Sequence, residues 1–477
     1  MSSREAGEFD AADHKAFRER LNESLKALGE LLRRPAFGRI ETCIGAELEM
    51  FLVDSSGAPM PLNKAVLSAA GDPRLTVEVN RYNLELNVTP VPARSRPFTA
   101  MREETSRVMA KVAAAGRPYG TRPLMVGMLP SLRPCDLSGS SLTDVARYAI
   151  LNDAFAERRQ GSFDVRIEGE EPCVLRTDTM AVQGACCSWQ VHLTVPPDDF
   201  SRTYNAAQLA VGPVLAVAGN SFLLFGKKLW QETRIPYYEQ GFGDRDTPVG
   251  GDHPRVLFGR AWYGHGATEI FAEAVQDYAT MLPVLSDERP IEALAAGRTP
   301  QLAELRLHMG TVWPWNRAVY DPAGDGHLRI ESRALPAGPT AIDMVANTAF
   351  LLGLIRHLTD APADFTANLP FRAVRDNFYQ AARYGLSARL AWPNSPAGPA
   401  VERGAPDLIR VLIPRAARGL LSMGVDADEA HQVLSVIEQR AATGMTGAMW
   451  QRRMLDSLRQ RSDHDWPFTS WSHNTRA

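Results

Sequence analysis

The stretch Ile44-Gly-Ala-Glu47-Leu-Glu49-Met-Phe-Leu-Val-Asp54 alternates apolar side chains with polar or small ones, and two of the alternating positions are glutamates. On a β-strand, residues two apart share a face. The two carboxylates would stand roughly 7 Å apart and repel by about 2 kcal/mol at an effective dielectric of about 20. A fold that accepts this strand must set positive or hydrogen-bonding groups beside the pair, or leave the face in water. For this segment alone, a solvated face is the simpler explanation.

Three more stretches share the design. Leu84-Glu85-Leu86-Asn87-Val88-Thr89 puts Glu85, Asn87 and Thr89 opposite three aliphatic residues, and Trp189 to Val195 puts Gln190, His192 and Thr194 opposite four apolar ones. His327 to Arg333 sets Glu331 between Arg329 and Arg333, with Leu328, Ile330 and Ser332 on the other side. A strand that merely meets water usually carries Thr, Lys and Ser; these collect Glu, His, Asn, Gln and Arg. Hard divalent cations such as Mg²⁺ and Mn²⁺ take oxygen ligands and share them with nucleotide phosphates, a role that suits Glu47, Glu49, Glu85 and Glu331. Arg329 or Arg333 would supply fixed positive charge to a transferring phosphoryl group. Cross-strand Glu–Arg pairing is the competing structural explanation for Glu331, and the recurrence of the pattern in four strands weighs against it.

The rest of the chain bounds the alternatives. With 477 residues, 45% apolar and 22% charged, the chain can bury a large core as a soluble globular protein. A net charge of −3 and the lack of a long basic run argue against nucleic acid as a partner. Five cysteines, with no C-x-x-C pair, fit a reducing cytoplasm, and Cys186 and Cys187 read as strand residues. Met1 to Asp13 is polar and acidic, so no secretory signal is expected. Leu209 to Phe225 is nearly all apolar, but Gly212, Pro213, Gly219, Asn220 and Ser221 interrupt it, which predicts a buried core helix rather than a membrane span.

Periodicity predicts a helix over Asp13 to Leu32, another over Asp144 to Arg159 and a third over Thr203 to Phe225. Gln240 to Gly266, rich in Gly, Asp and Pro, predicts a long loop and a candidate lid. From Ala341 onward the pattern turns helical: Ala341 to Leu358, Phe371 to Tyr384, Ala405 to Met423 and Ala427 to Ala442, with sparse strand signals. The organisation expected is an N-terminal helical segment (1–38), a mixed catalytic region (39–360) and a helical C-terminal region (361–477). The fold class is α+β. No G-x-x-x-x-G-K-[ST], G-x-S-x-G or H-E-x-x-H occurs, so nucleotide chemistry would have to use the acidic sheet.

Gly45-x-Glu47-x-Glu49, then Glu78 and Glu85, Gln190-Val-His192, Thr311-Val-Trp313-Pro-Trp315-Asn-Arg317 and Arg329-Ile-Glu331-Ser-Arg333 follow in order. This ordered set resembles glutamate–cysteine ligase family 2, relatives of glutamine synthetase, from about Thr42 to Leu358 with weaker similarity beyond. The resemblance implies a curved antiparallel sheet forming a funnel, with ATP and an amino acid at its two sides and Mg²⁺ or Mn²⁺ between. It implies metal binding by Glu47, Glu49, Glu85 and Glu331, with Glu78 as a further candidate. It sets Arg333 or Arg329 on the ATP phosphates, with Asn87, His192, Gln190, Arg234, His308 and Arg317 as ATP- or substrate-binding residues. Many relatives carry histidine where Gln190 stands, and glutamine offers only a neutral carbonyl oxygen.

The reaction so implied joins the γ-carboxylate of glutamate to an amine through an acyl phosphate, with cysteine as the default acceptor. A different amine, in a larger pocket lined by Trp313, Trp315 and Tyr320, is the second enzymatic reading, although packing is the simpler role for those aromatics. A nucleotide-binding sensor that kept the fold without catalysis is the third. A homo-oligomer is compatible with all three.

Overall fold

The computed structural model describes residues 9–159, 161–242, 254–362, 364–394 and 398–461. The four strands with polar faces all enter one sheet. β1 (Cys43–Val53), β2 (Leu75–Val77), β3 (Asn83–Pro92), β4 (Arg122–Leu124), β7 (Trp189–Val195), β10 (Asn316–Asp321) and β11 (His327–Ser332) form it. Three hairpins stand apart: β5 (Phe163–Ile167) with β6 (Cys173–Thr177), β8 (Leu223–Leu224) with β9 (Lys227–Lys228), and β12 (Arg389–Pro393) with β13 (Ala400–Gly404).

The order across the large sheet is β10-β11-β7-β1-β3-β2, with β4 joined to the end of β1. Every pairing in it is antiparallel. Near Pro90 and Pro92, which have no N–H to give the ladder, the β1–β3 register shifts between Ile44 and Ala46. Strand alternation does the sorting that the sequence predicts. Leu48, Met50, Leu84, Leu86, Trp189, Val191, Leu328 and Ile330 are buried on one side, where the Trp189 Nε1–H donates to Thr348 at 2.8 Å. The polar residues take the other face.

Helices cover the apolar face and the sheet's ends. The first half contributes α1 (Ala11–Leu31), α2 (Asn63–Ala70), α3 (Pro97–Gly116), α4 (Ala146–Arg159), α5 (Phe200–Ala218), α6 (Arg234–Phe242) and α7 (Ala267–Asp277). The second contributes α8 (Pro290–Ala295), α9 (Ala303–Met309), α10 (Ala341–Thr359), α11 (Phe371–Tyr384), α12 (Ala405–Ser422), α13 (Ala427–Thr443) and α14 (Gly447–Arg461). Asp10 starts α1 with a capping box, accepting from the Asp13 N–H while the Asp13 side chain accepts from the Asp10 N–H. One continuous apolar cluster runs from Phe17 in α1 to Ile437 in α13.

Several expectations need correction. The third predicted helix stops at Ala218, where the backbone of Gly219 leaves the helical region (ψ 128°) close against the Gln231 carbonyl (a Cβ would sit 2.9 Å from that oxygen), and Leu223–Leu224 pairs as β8. Cys186 and Cys187 precede β7 rather than belong to it; they follow a 3-10 turn over Met180–Ala185. The helical C-terminal region contains the β12–β13 hairpin. The loop expected over Gln240 to Gly266 begins inside α6, and its 243–253 portion lies outside the described residues. Among the described residues, α10 is the one helix long and apolar enough to cross a membrane, and 72% of its apolar window is buried within the protein. It crosses α12 at close range through Gly353 and Gly419: a Cβ on Gly419 would lie 2.0 Å from the Gly353 carbonyl oxygen.

Candidate active site

Register brings the polar residues together. In the ladder, Glu47 stands opposite Asn87 of β3 and Gln190 of β7, and Glu49 stands opposite Glu85. His192 stands opposite Gly45 on one side and Glu331 on the other. Arg317 of β10 faces Glu331. Residues directly opposed in antiparallel strands share a face, so four strands converge on one acidic patch with an arginine border.

At the border, Glu331 is fully buried and held on both oxygens. Arg317 donates through Nε to Oε2 at 2.5 Å and through Nη2 to Oε1 at 3.1 Å, and Arg333 Nη1 donates to Oε1 at 2.6 Å. Burial opposes its charge, yet the Arg317 and Arg333 guanidiniums outweigh burial and hold the Glu331 carboxyl well below the usual carboxylate range. Burial opposes the charge of Glu47 too. There, the hydrogen bond and charge of His192, whose Nε2 lies 3.1 Å from Oε1, prevail and hold the carboxyl low. His192 Nδ1 is buried with no hydrogen-bond partner.

Glu49, Glu78 and Glu85 are not compensated in this way. Burial, followed by the nearby Glu78 carboxylate, pushes Glu49 up to about 7, although Ser188 N–H donates to it at 2.7 Å and Gln190 Nε2 at 3.0 Å. Burial together with the Glu78, Glu47 and Glu49 charges drives Glu85 well above its ordinary value, and burial also raises Glu78. Asn87 Nδ2 donates to Glu85 at 2.9 Å. Gln190 joins the two halves, since its amide N–H donates to Glu49 while its carbonyl accepts from Arg333.

The donor set fits a divalent cation. Glu47, His192 and Glu331 each offer one ligand atom, all within 4.8 Å of one another. Beside them, burial and mutual repulsion hold the Glu49, Glu78 and Glu85 carboxyls above their ordinary range, a strain that a bound cation would relieve. Oxygen-rich donors with one imidazole match Mg²⁺ or Mn²⁺ better than a thiolate-seeking metal.

Other expected residues fall differently. Arg329 pairs with Asp321 at 3.5 Å rather than with Glu331, and its buried Nε has no hydrogen-bond partner. Arg234 is buried, donating to Glu232 at 2.7 Å and to the Ala334 carbonyl at 2.6 Å, and it also lines a small cavity of about 30 Å³ beside Glu49, Glu78 and Arg333. His308 is not brought to the patch. It sits in α9 with Nε2 2.9 Å from the Ala274 carbonyl, and burial lowers it to about 4, leaving it neutral. Trp315 lines the small cavity, whereas Tyr320 is buried away from it, stacked on Phe37 and donating to the Pro300 carbonyl.

Asn83 and Tyr238 also line the cavity. Counting back two residues from Glu85 reaches Asn83, so the strand period was a usable signal. Tyr238 comes from α6, where nothing local marks it.

The sheet, its acidic face and the family match together place the chain among the ATP-dependent carboxylate–amine ligases. The chain belongs to glutamate–cysteine ligase family 2, whose sequence model matches residues 43–466. Glutamate–cysteine ligase from Francisella tularensis, solved in complex with AMP, shares 12% identity over 92% of this chain and 89% of its own, with a TM-score of 0.53. The likeness is one of fold. A bifunctional glutathione synthetase from Pasteurella multocida gives 12% identity, 94% and 53% coverage and a TM-score of 0.46. The ligase of the prokaryotic ubiquitin-like protein Pup, solved with Pup, gives 9%, 90% and 71%, and 0.40. No curated protein sequence matches this chain significantly.

Proposed function

We propose that this chain joins the γ-carboxylate of glutamate to an amine, with cysteine as acceptor, at the expense of ATP. The observation that carries the reading is the meeting of Glu47, Glu49 and Glu85 with the Arg317–Glu331–Arg333 cluster on one sheet face. Two anions, a carboxylate and a triphosphate, must approach each other there, so the barrier is chiefly electrostatic and positional.

Glu47, His192 and Glu331, with Glu49, Glu78 and Glu85, are the residues that would hold Mg²⁺ or Mn²⁺. When bound, the cations neutralise phosphate charge and orient the phosphates. Arg333, already anchored by Glu331 and Gln190, offers guanidinium charge to the equatorial phosphoryl oxygens. Gln190 then acts as a brace between Glu49 and Arg333. A γ-carboxylate oxygen bonds to the γ-phosphorus as the bond to ADP breaks, giving an acyl phosphate. The amine nitrogen bonds to the acyl carbon, phosphate leaves with the C–O electron pair, and the amine gives up a proton. The small cavity of Arg234, Tyr238 and Trp315 adjoins these groups, with room as it stands for about two water molecules. His308 has no part in this reading. The five unpaired thiols fit a reducing compartment, and we assign the reaction to the cytoplasm.

The test is to incubate the purified chain with ATP, Mg²⁺, glutamate and a panel of amines, measuring ADP and product mass. γ-Glutamylcysteine is the expected product. A product with a different amine alone would move the acceptor assignment, and nucleotide binding without turnover would favour the sensor.

A further inference from the structure

A second cavity lies away from the acidic face. It has a volume of about 410 Å³ and sits between β4, the start of α10, the end of α13 and the start of α14. That volume falls in the lower part of the roughly 300–1,000 Å³ range of small-molecule pockets. Its apolar wall includes Leu124, Met125, Pro130, Val436, Met445 and Trp450. None of its lining residues belongs to the carboxylate patch.

Its charged groups are spent on each other. Asp343 Oδ1 accepts from Arg440 Nη2 at 2.7 Å, and its Oδ2 accepts from the Thr340 hydroxyl at 2.6 Å. Arg440 Nη1 donates to Asn347 Oδ1 at 2.7 Å and to the Val217 carbonyl at 3.3 Å. A phosphate or carboxylate entering here would lose its water and find no free cation among the described lining residues, which is costly for a charged group. An uncharged molecule loses little and gains the apolar wall. The aromatic ring of Trp450 and the Met125 and Met445 thioethers favour a flat, ring-bearing occupant.

The wall also leads inward. Gln451 Nε2 donates to Asn220 Oδ1 at 3.0 Å, and Asn220 Nδ2 donates to the Ala337 carbonyl at 2.8 Å. The Asn220 N–H donates to Glu232 at 2.9 Å, and Glu232 holds Arg234, which in turn donates to the Ala334 carbonyl next to Arg333. Pro339 and Thr340 of the cavity wall close the same segment, which begins at the end of β11. Every link is a direct hydrogen bond or a few residues of backbone.

We propose that this cavity is a binding site for an uncharged, largely apolar, ring-bearing small molecule, linked to the active-site arginines through Asn220, Glu232 and the 332–340 segment. Such binding depends neither on which amine the enzyme joins nor on catalysis.

The test uses the full-length chain and N-phenyl-1-naphthylamine, an uncharged aromatic probe that brightens in apolar surroundings. Saturable one-to-one binding is expected. Val436→Trp and Met445→Trp, which fill the cavity from α13 and from the α13–α14 connection, should each weaken it by about tenfold or more, roughly 1.4 kcal/mol. Two variants guard against misfolding of one, and thermal melts report which are folded. Probe binding should also slow amide hydrogen exchange in the peptide spanning 332–340 at least threefold. Absent saturable binding, or binding that folded variants leave unchanged, would overturn the site. Unchanged exchange in 332–340 would overturn the link. Binding that appears only after truncation beyond Arg461 would mean that the chain's own last segment, which carries Trp466, Phe468 and Trp471, competes for the cavity, and it would overturn the small-molecule assignment.

Discussion

Arg317 and Glu331 face each other across the β10–β11 hairpin, and the guanidinium grips both carboxylate oxygens, at 2.5 and 3.1 Å. With Glu331 fully buried, this fork keeps a charge in place that burial alone would neutralise. Arg317→Ala should lower unfolding free energy in urea by roughly 3–5 kcal/mol, the usual cost of orphaning a buried charge. Arg317→Lys should lose less, because an ammonium keeps the charge without the fork. An alanine variant within 1 kcal/mol of the parent would show that the clamp is dispensable.

Glu331→Gln keeps the shape of the side chain and removes its charge. Metal-dependent ATP turnover should fall by roughly 10²-fold or more, the scale of losing one electrostatic group at a reacting phosphate. The unfolding transition should stay cooperative. Unchanged turnover would remove Glu331 from the reaction.

Metal-free stability should carry the signature of the crowded carboxyls. Glu49 and Glu85 bind protons more tightly folded than unfolded, so the folded state holds more protons above about pH 4.5 and stability declines as pH rises towards 7, where Glu49 titrates. Glu47 and Glu331 act oppositely: their contribution is present at neutral pH and fades only as pH falls below the ordinary carboxylate value. Mg²⁺ should therefore raise the melting temperature more at pH 8 than at pH 5.5. Equal shifts at the two values would mean that the cation does not displace those protons.

Where α10 crosses α12, Gly419→Ala would drive a methyl group to 2.0 Å from the Gly353 carbonyl oxygen. The helices must separate, and a loss of about 1–3 kcal/mol in denaturant unfolding is expected. A neutral outcome would mean that the crossing yields without cost.

Much of this site was legible because strand alternation is local: Glu47, Glu49, Glu85, Gln190, His192 and Glu331 announce their shared faces within a few residues. Which strand lies beside which is not local. That Glu331 meets Arg317 and His192 rather than Arg329 follows from the order β10-β11-β7-β1, set by connections more than a hundred residues long in places. The helices from Phe371 and Ala427 were readable from their period, whereas α3 and α14, which begin at Pro97 and Gly447, residues that read locally as breaks, were not anticipated. His308 looked like a site residue by its place in sequence. Only its burial against the Ala274 carbonyl reveals a packing role.

The central claim is that a glutamate carboxylate oxygen bonds to the γ-phosphorus of ATP on the Glu47–Glu331 face. Glutamate labelled with ¹⁸O in its γ-carboxylate, supplied with ATP, Mg²⁺ and cysteine, tests it in the mass of the phosphate released. One labelled oxygen per phosphate, matched to γ-glutamylcysteine formed, is the predicted result; unlabelled phosphate accompanying that product would contradict the acyl-phosphate route.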